Sequence, residues 1–91
     1  MTAPLVAILD DEPAIRSMLA QALTEAGFRT MAFGRATEFE AALRSTTPDV
    51  CLVDLSLPDR DGLSLVHRLA LEQGATVIII SGRAQVQDRV T

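Results

Sequence analysis

The chain has 91 residues, 48% hydrophobic, 22% charged and 3% aromatic, with a formal net charge of −4 at pH 7. That length suits one small domain with a modest core. The acidic balance, with no basic block and no alternation of basic and aromatic residues, argues against direct nucleic-acid binding by this segment. The single cysteine, Cys51, cannot form an internal disulfide, which suits a reducing, cytoplasmic setting. Residues 1–9 carry no basic region ahead of their apolar run, and the run is too short for a signal peptide or a membrane span.

Leu5–Leu9 (LVAIL) does not alternate with polar residues, so it predicts a first strand buried on both faces. Asp11 and Pro13 then offer a helix cap and a favourable first-turn residue. Ile15, Leu19, Ala22, Leu23 and Ala26 follow at helical spacing, and Gly27 stops the helix. Residues 28–33 predict a weaker second strand, nearer an edge. Thr37 is the expected cap of a second helix with Phe39, Ala42 and Leu43 inward. A turn at Thr47, Pro48 and Asp49 leads into a third strand, Val50–Asp54. After a loop, Asp61 caps a third helix with Leu65, Val66 and Leu69 inward, closed by Gln73 and Gly74. Residues 76–80 (TVIII) predict a fourth strand, and 84–90 the start of a fourth helix. Strands alternating with helices, without hairpin signals, imply an α/β fold: a parallel sheet covered by helices on both sides.

In such sheets ligands gather beyond the carboxyl ends of the strands. Asp10 and Asp11 follow the first strand, Asp54 ends the third, and Ser81 follows the fourth. A carboxylate ending a buried apolar strand is costly unless something compensates it. If the first and third strands are neighbours, about 5 Å apart, their terminal carboxylates converge. Like charges at that separation raise each other's pKa and repel unless a cation joins them. A hard divalent cation with oxygen ligands, most simply Mg²⁺, resolves the conflict and leaves an Asp54 oxygen able to attack phosphorus. The Ser81 hydroxyl could donate to the incoming phosphoryl group. Plainer readings exist for several of these residues: Asp11 as a helix cap, Ser81 with Gly82 as a strand-end turn, Asp59 and Asp61 as turn and cap residues. Glu12 suits the positive end of the first helix, His67 a solvated surface, and Cys51 a small core position.

Four features together resemble the receiver domain of two-component response regulators: LDDEP (9–13), VDLSLPDRDG (53–62), IISG (79–82) and the spacing between them. The resemblance implies a three-layer, flavodoxin-like, doubly wound sheet in the strand order 2-1-3-4. The family's fifth strand and last helix have no counterpart in residues 1–91. It also implies that Asp54 accepts a phosphoryl group from a histidine kinase or phosphotransfer protein in a Mg²⁺-dependent reaction. The metal would be held by Asp10, Asp11, Asp54 and the backbone carbonyl of Ser56. Ser81 would bond the phosphoryl group and act as a switch, and Pro58 and Gly62 would shape the loop. Such a domain is a phosphoacceptor rather than an enzyme, although it assists its own phosphorylation and dephosphorylation, and it switches an output domain or partner.

The chain departs from the family in lacking the lysine and the switch aromatic that the fifth strand carries. It contains no lysine at all. A chain ending within a helix reads as a fragment, an incomplete receiver domain over 1–91. Its uncovered fourth strand would self-associate. Two other functions fit less well. A pseudo-receiver, a pure interaction module, would explain the missing lysine but not the intact acidic set. A phosphatase with an aspartyl nucleophile would want a second Asp two residues after Asp54, where Ser56 stands.

Overall fold

The computed structural model describes residues 3–55 and 61–81. Its elements run β1 (Leu5–Leu9), α1 (Pro13–Glu25), β2 (Arg29–Phe33), α2 (Ala36–Leu43), β3 (Val50–Asp54), α3 (Gly62–Arg68), a π-helical turn (Leu69–Gln73) and β4 (Thr76–Ser81). The four strands form one parallel sheet in the order β2-β1-β3-β4. The alternation of strand and helix therefore produces the expected parallel α/β architecture, with β2 and β4 at the edges of the described sheet. The expected fourth helix at 84–90 lies outside the described residues.

Right-handed crossovers fix the layers. The first connection steps from β1 outward to β2, and the next two step the other way, so α1 covers one face and α2 and α3 the opposite one. The main core lies on the α2–α3 side. It joins Ala7 and Leu9 of β1 and Cys51 and Val53 of β3 to Ala36, Phe39, Leu43, Leu65 and Leu69. Phe33 of β2 meets Phe39 of α2 edge to face, with ring centroids 5.8 Å apart. The period-two geometry sends Val6 and Ile8 to the other face, where both are buried. Phe39, Leu43, Leu65 and Leu69 thus point inward as their helical spacing requires, while Val66 packs at the margin of the core.

Helix α1 differs from expectation. None of its residues is buried; Ile15, Leu19 and Leu23 are half-buried, and Ala22 and Ala26 are exposed. The cause is the thin layer on that side: among the described elements, only α1 lies on its face of the sheet. The caps differ as well. Glu12, not Asp11, stands at the N-cap of α1, and Arg35 precedes α2, so Thr37 lies inside that helix. Asp61 does cap α3, accepting from the Leu63 N–H at 3.2 Å, with Ser64 Oγ donating to its second oxygen at 3.0 Å. Gly27 and Gly74 take positive φ, +100° and +65°, where the chain leaves a helix.

The lower end of the sheet is pinned by a residue whose role its turn context hides. Asp49 Oδ2 accepts from the Leu5 N–H at 2.8 Å, and the Asp49 N–H donates to the Leu5 carbonyl at the same distance. This reciprocal pair sets the β1–β3 register, Val6 opposite Val50 through Leu9 opposite Val53. Continued by one residue, that register sets Asp10 beside Asp54.

Candidate metal centre at the strand ends

Three carboxylates meet at the carboxyl end of the sheet. Asp10, Asp11 and Asp54 each offer one oxygen, and these oxygens all lie within 4.8 Å of one another. Asp54 is fully buried and Asp10 is 2% exposed; Asp11 stands nearer the surface. The convergence expected from adjacent first and third strands is therefore present.

Each carboxylate is placed by local chain geometry. Asp10 continues β1, its N–H donating to the Phe33 carbonyl at 3.1 Å. Its Oδ1 accepts from the Glu12 N–H at 2.9 Å, closing a tight turn into α1. This bond fixes the turn that leads into α1, and it comes from Asp10 rather than Asp11. Asp11 is thereby released from the capping role. Its Oδ1 is buried and has no hydrogen-bond partner among the described residues. Asp54 ends β3 at a bulge, where the β3–β4 register skips from Val53 opposite Ile79 to Asp54 opposite Ser81.

The electrostatics match the geometry. Burial pushes the Asp10 carboxyl above its ordinary value; the Glu12 N–H pulls it down, and the charges of Asp54, Asp11 and Glu12 push it up again. An oxygen-only donor set, crowded with negative charge and including Asp11 Oδ1, which has no partner among the described residues, fits a hard divalent cation such as Mg²⁺.

Ser81 is the last described residue of β4, and its Cα partner is Asp54. Ser56, Pro58 and Asp59 lie outside the described residues. Gly62 opens α3 against the strand end: a Cβ there would lie 2.6 Å from Leu55 Cα and 2.8 Å from the Leu55 oxygen. His67 is exposed, as a surface residue of α3 should be. Cys51 is buried in the core, and burial pushes its thiol up to about 11. Two residues near the site, Arg16 and Gly34, gave no signal in the sequence; an arginine early in an amphipathic helix reads as solvated, and a glycine after a strand reads as a turn.

Among the described residues no helix is long and apolar enough to cross a membrane. The model of the response regulator receiver domain matches residues 6–91. The regulatory protein VirG of Agrobacterium tumefaciens is 40% identical over 86 residues, which cover 93% of this chain and 32% of VirG. The probable transcriptional regulatory protein TcrX of Mycobacterium tuberculosis is 35% identical over 86 residues, 93% of this chain and 37% of that protein. The chain thus spans about a third of the length of these relatives. Among solved structures, the BeF3-activated receiver domain of nitrogen regulatory protein C superposes with a TM-score of 0.77 at 35% identity, covering 99% of this chain and 73% of that one. With the sheet order, the acidic convergence and these likenesses in agreement, the chain belongs to the response regulator receiver domain family.

Proposed function

We propose that Asp54 accepts a phosphoryl group from the phosphohistidine of a sensor histidine kinase or phosphotransfer protein, in a Mg²⁺-dependent reaction on the cytoplasmic side. The added charge at the strand ends would then switch an output domain or partner. The observation that carries this reading is the meeting of Asp10, Asp11 and Asp54 within 4.8 Å. In the transfer, an Asp54 carboxylate oxygen forms a bond to phosphorus as the phosphorus–nitrogen bond of the donor breaks. The bonding pair returns to the imidazole nitrogen, which takes up a proton, and the product is an acyl phosphate. When bound, Mg²⁺ would supply charge neutralisation at the crowded carboxylates. Asp10, Asp11, Asp54 and the Ser56 carbonyl would hold it. Ser81, opposite Asp54 in the sheet register, would donate its hydroxyl to the transferred group. The acceptor is consumed once per transfer, so the role is regulatory rather than that of a classical enzyme.

With acetyl phosphate and Mg²⁺, intact-mass analysis should show one phosphoryl increment that disappears in Asp54→Ala. An increment undiminished in that variant overturns the assignment. The yield should be low for the 91-residue chain, which has no lysine to pair with the phosphoryl group. NMR titration with Mg²⁺ should shift amides near Asp10, Asp11 and Asp54, and Asp11→Asn should weaken the binding. Shifts confined to Asp59 and Asp61 would mean loose surface binding. Mg²⁺ binding with no phosphoryl increment under any donor would instead select the alternative, a pseudo-receiver.

A further inference from the structure

The turn that carries Asp10 and Asp11 is fastened on three sides. The Asp10 N–H is taken by Phe33 of β2, its Oδ1 by the Glu12 N–H, and its carbonyl oxygen by Arg16 Nη1 at 2.9 Å. The last bond is long-armed: Arg16 is anchored in the first turns of α1, where its own N–H donates to the Glu12 carbonyl at 3.0 Å. Gly34 supplies the other wall. It follows Phe33 directly, and a Cβ placed on it would sit 2.6 Å from Arg16 Nη1 and 3.1 Å from Cζ. Gly34 does not adopt a positive φ, unlike Gly27 and Gly74. Backbone conformation therefore does not require glycine there; an alanine Cβ would instead push the Arg16 guanidinium out of its place.

We infer that Arg16 is a positioning residue for the carboxylates of the strand-end site, and that Gly34 is the seat that holds its guanidinium in place. The clamp ties the end of β1 to the end of β2 through α1, so that Asp10 and Asp11 are presented toward Asp54 before any ligand arrives. Groups that orient ligands without touching the metal typically change its affinity by about 10–100-fold when removed. The inference rests on the proposed Mg²⁺ site for its affinity readout. The clamp itself is also read without metal, through the Glu12 amide that bonds Asp10.

Gly34→Ala is the sharp probe, because it keeps every charge and every backbone donor and only displaces the guanidinium. NMR titration with MgCl₂ should show affinity falling by about 10-fold, at the low end of that range. In the background of Arg16→Met there is no guanidinium to displace, so adding Gly34→Ala should change affinity by less than about 2-fold, the non-additivity expected of two residues acting through one contact. Equal losses from Gly34→Ala in both backgrounds would overturn the inference, as would no loss in the first. If the parent chain shows no saturable Mg²⁺ binding, the metal reading itself fails. Hydrogen exchange then decides the clamp: the Glu12 amide should exchange faster in Gly34→Ala and Arg16→Met than in the parent, and unchanged exchange in both refutes it. Should Gly34→Ala not fold, Arg16→Met, which adds no atoms, carries the exchange and affinity tests alone.

Discussion

Asp10 combines a fully hydrogen-bonded backbone with a buried carboxylate set among other acids. Its backbone is satisfied at both ends and one carboxylate oxygen accepts from Glu12, yet burial and three neighbouring acids still push its carboxyl upward. A carboxyl that holds its proton more tightly folded than unfolded makes the folded state lose stability as pH rises from the ordinary value of 3.8 through the raised one. At neutral pH, without divalent ions, Asp10 therefore works against folding. Asp10→Asn keeps an oxygen for the Glu12 N–H and removes the charge. It should raise stability by roughly 1–3 kcal/mol at pH 7, the scale of an under-compensated buried polar group. The gain should shrink as pH falls through about 4, where the carboxyl becomes protonated in the unfolded as well as the folded state. Urea unfolding at pH 7 and pH 3.5, with and without Mg²⁺, measures this. A variant less stable than the parent at pH 7 in metal-free buffer would show that the charge is already compensated. Cys51 is a useful contrast: its thiol is also pushed upward, but the neutral form is the one present at pH 7, so its burial costs nothing electrostatically.

At the scale of elements, the strands were legible, as were the Asp61 cap of α3 and the glycine stops, but the N-terminal caps of α1 and α2 were not. β1 and β3 are uninterrupted apolar runs, and such runs have few alternatives in a parallel sheet. Caps depend on where one side-chain oxygen points, which spacing does not reveal. Asp10 rather than Asp11 closes the turn into α1, and Arg35 rather than Thr37 precedes α2. The acidic site was readable because each of its residues marks a strand end. The clamp was not, because the Arg16–Gly34 contact joins an arginine on α1 to the end of β2. The start of α3 gives an element-scale prediction. Gly62 lies so close to the Leu55 backbone that a Cβ would meet it at 2.6 Å, and backbone cannot swing aside as a side chain can. Gly62→Ala should therefore cost about 1–3 kcal/mol, the usual penalty of overpacking, despite alanine's better helix propensity. A midpoint of urea denaturation equal to or above the parent's would disprove the close approach.

For the whole molecule, the described helices cover the two faces of the sheet unequally, and β4 is an edge of the described sheet. In β4, Ile78 and Ile79 point to opposite faces, and each is 48% exposed. No described strand lies on the outer side of β4, and its run from Val77 to Ile80 has neither charge nor proline to deter pairing. The 91-residue chain should accordingly self-associate, with a mass by light scattering that rises with concentration, and Ile78→Lys should suppress the rise. A monomer at every concentration, with amides of 77–80 exchanging as slowly as those of β1, would mean the edge is protected. The thin layer over the other face has a consequence for how the molecule opens. None of the residues of α1 is fully buried; the helix is held by half-buried Ile15, Leu19 and Leu23 on the face where Val6 and Ile8 lie. It therefore has less to lose by detaching than α2 or α3 and should lift away first in partial openings. The Asp10–Asp11 turn, through which α1 joins β1, would then act as its hinge. A ligand gripping that turn would stiffen the hinge and make excursions of α1 rarer, so occupancy of a site at the strand ends would be reported by amide protection along a helix that contributes no ligand to it. Exchange in α1 unaltered by saturating Mg²⁺ would show that the hinge moves independently of the site.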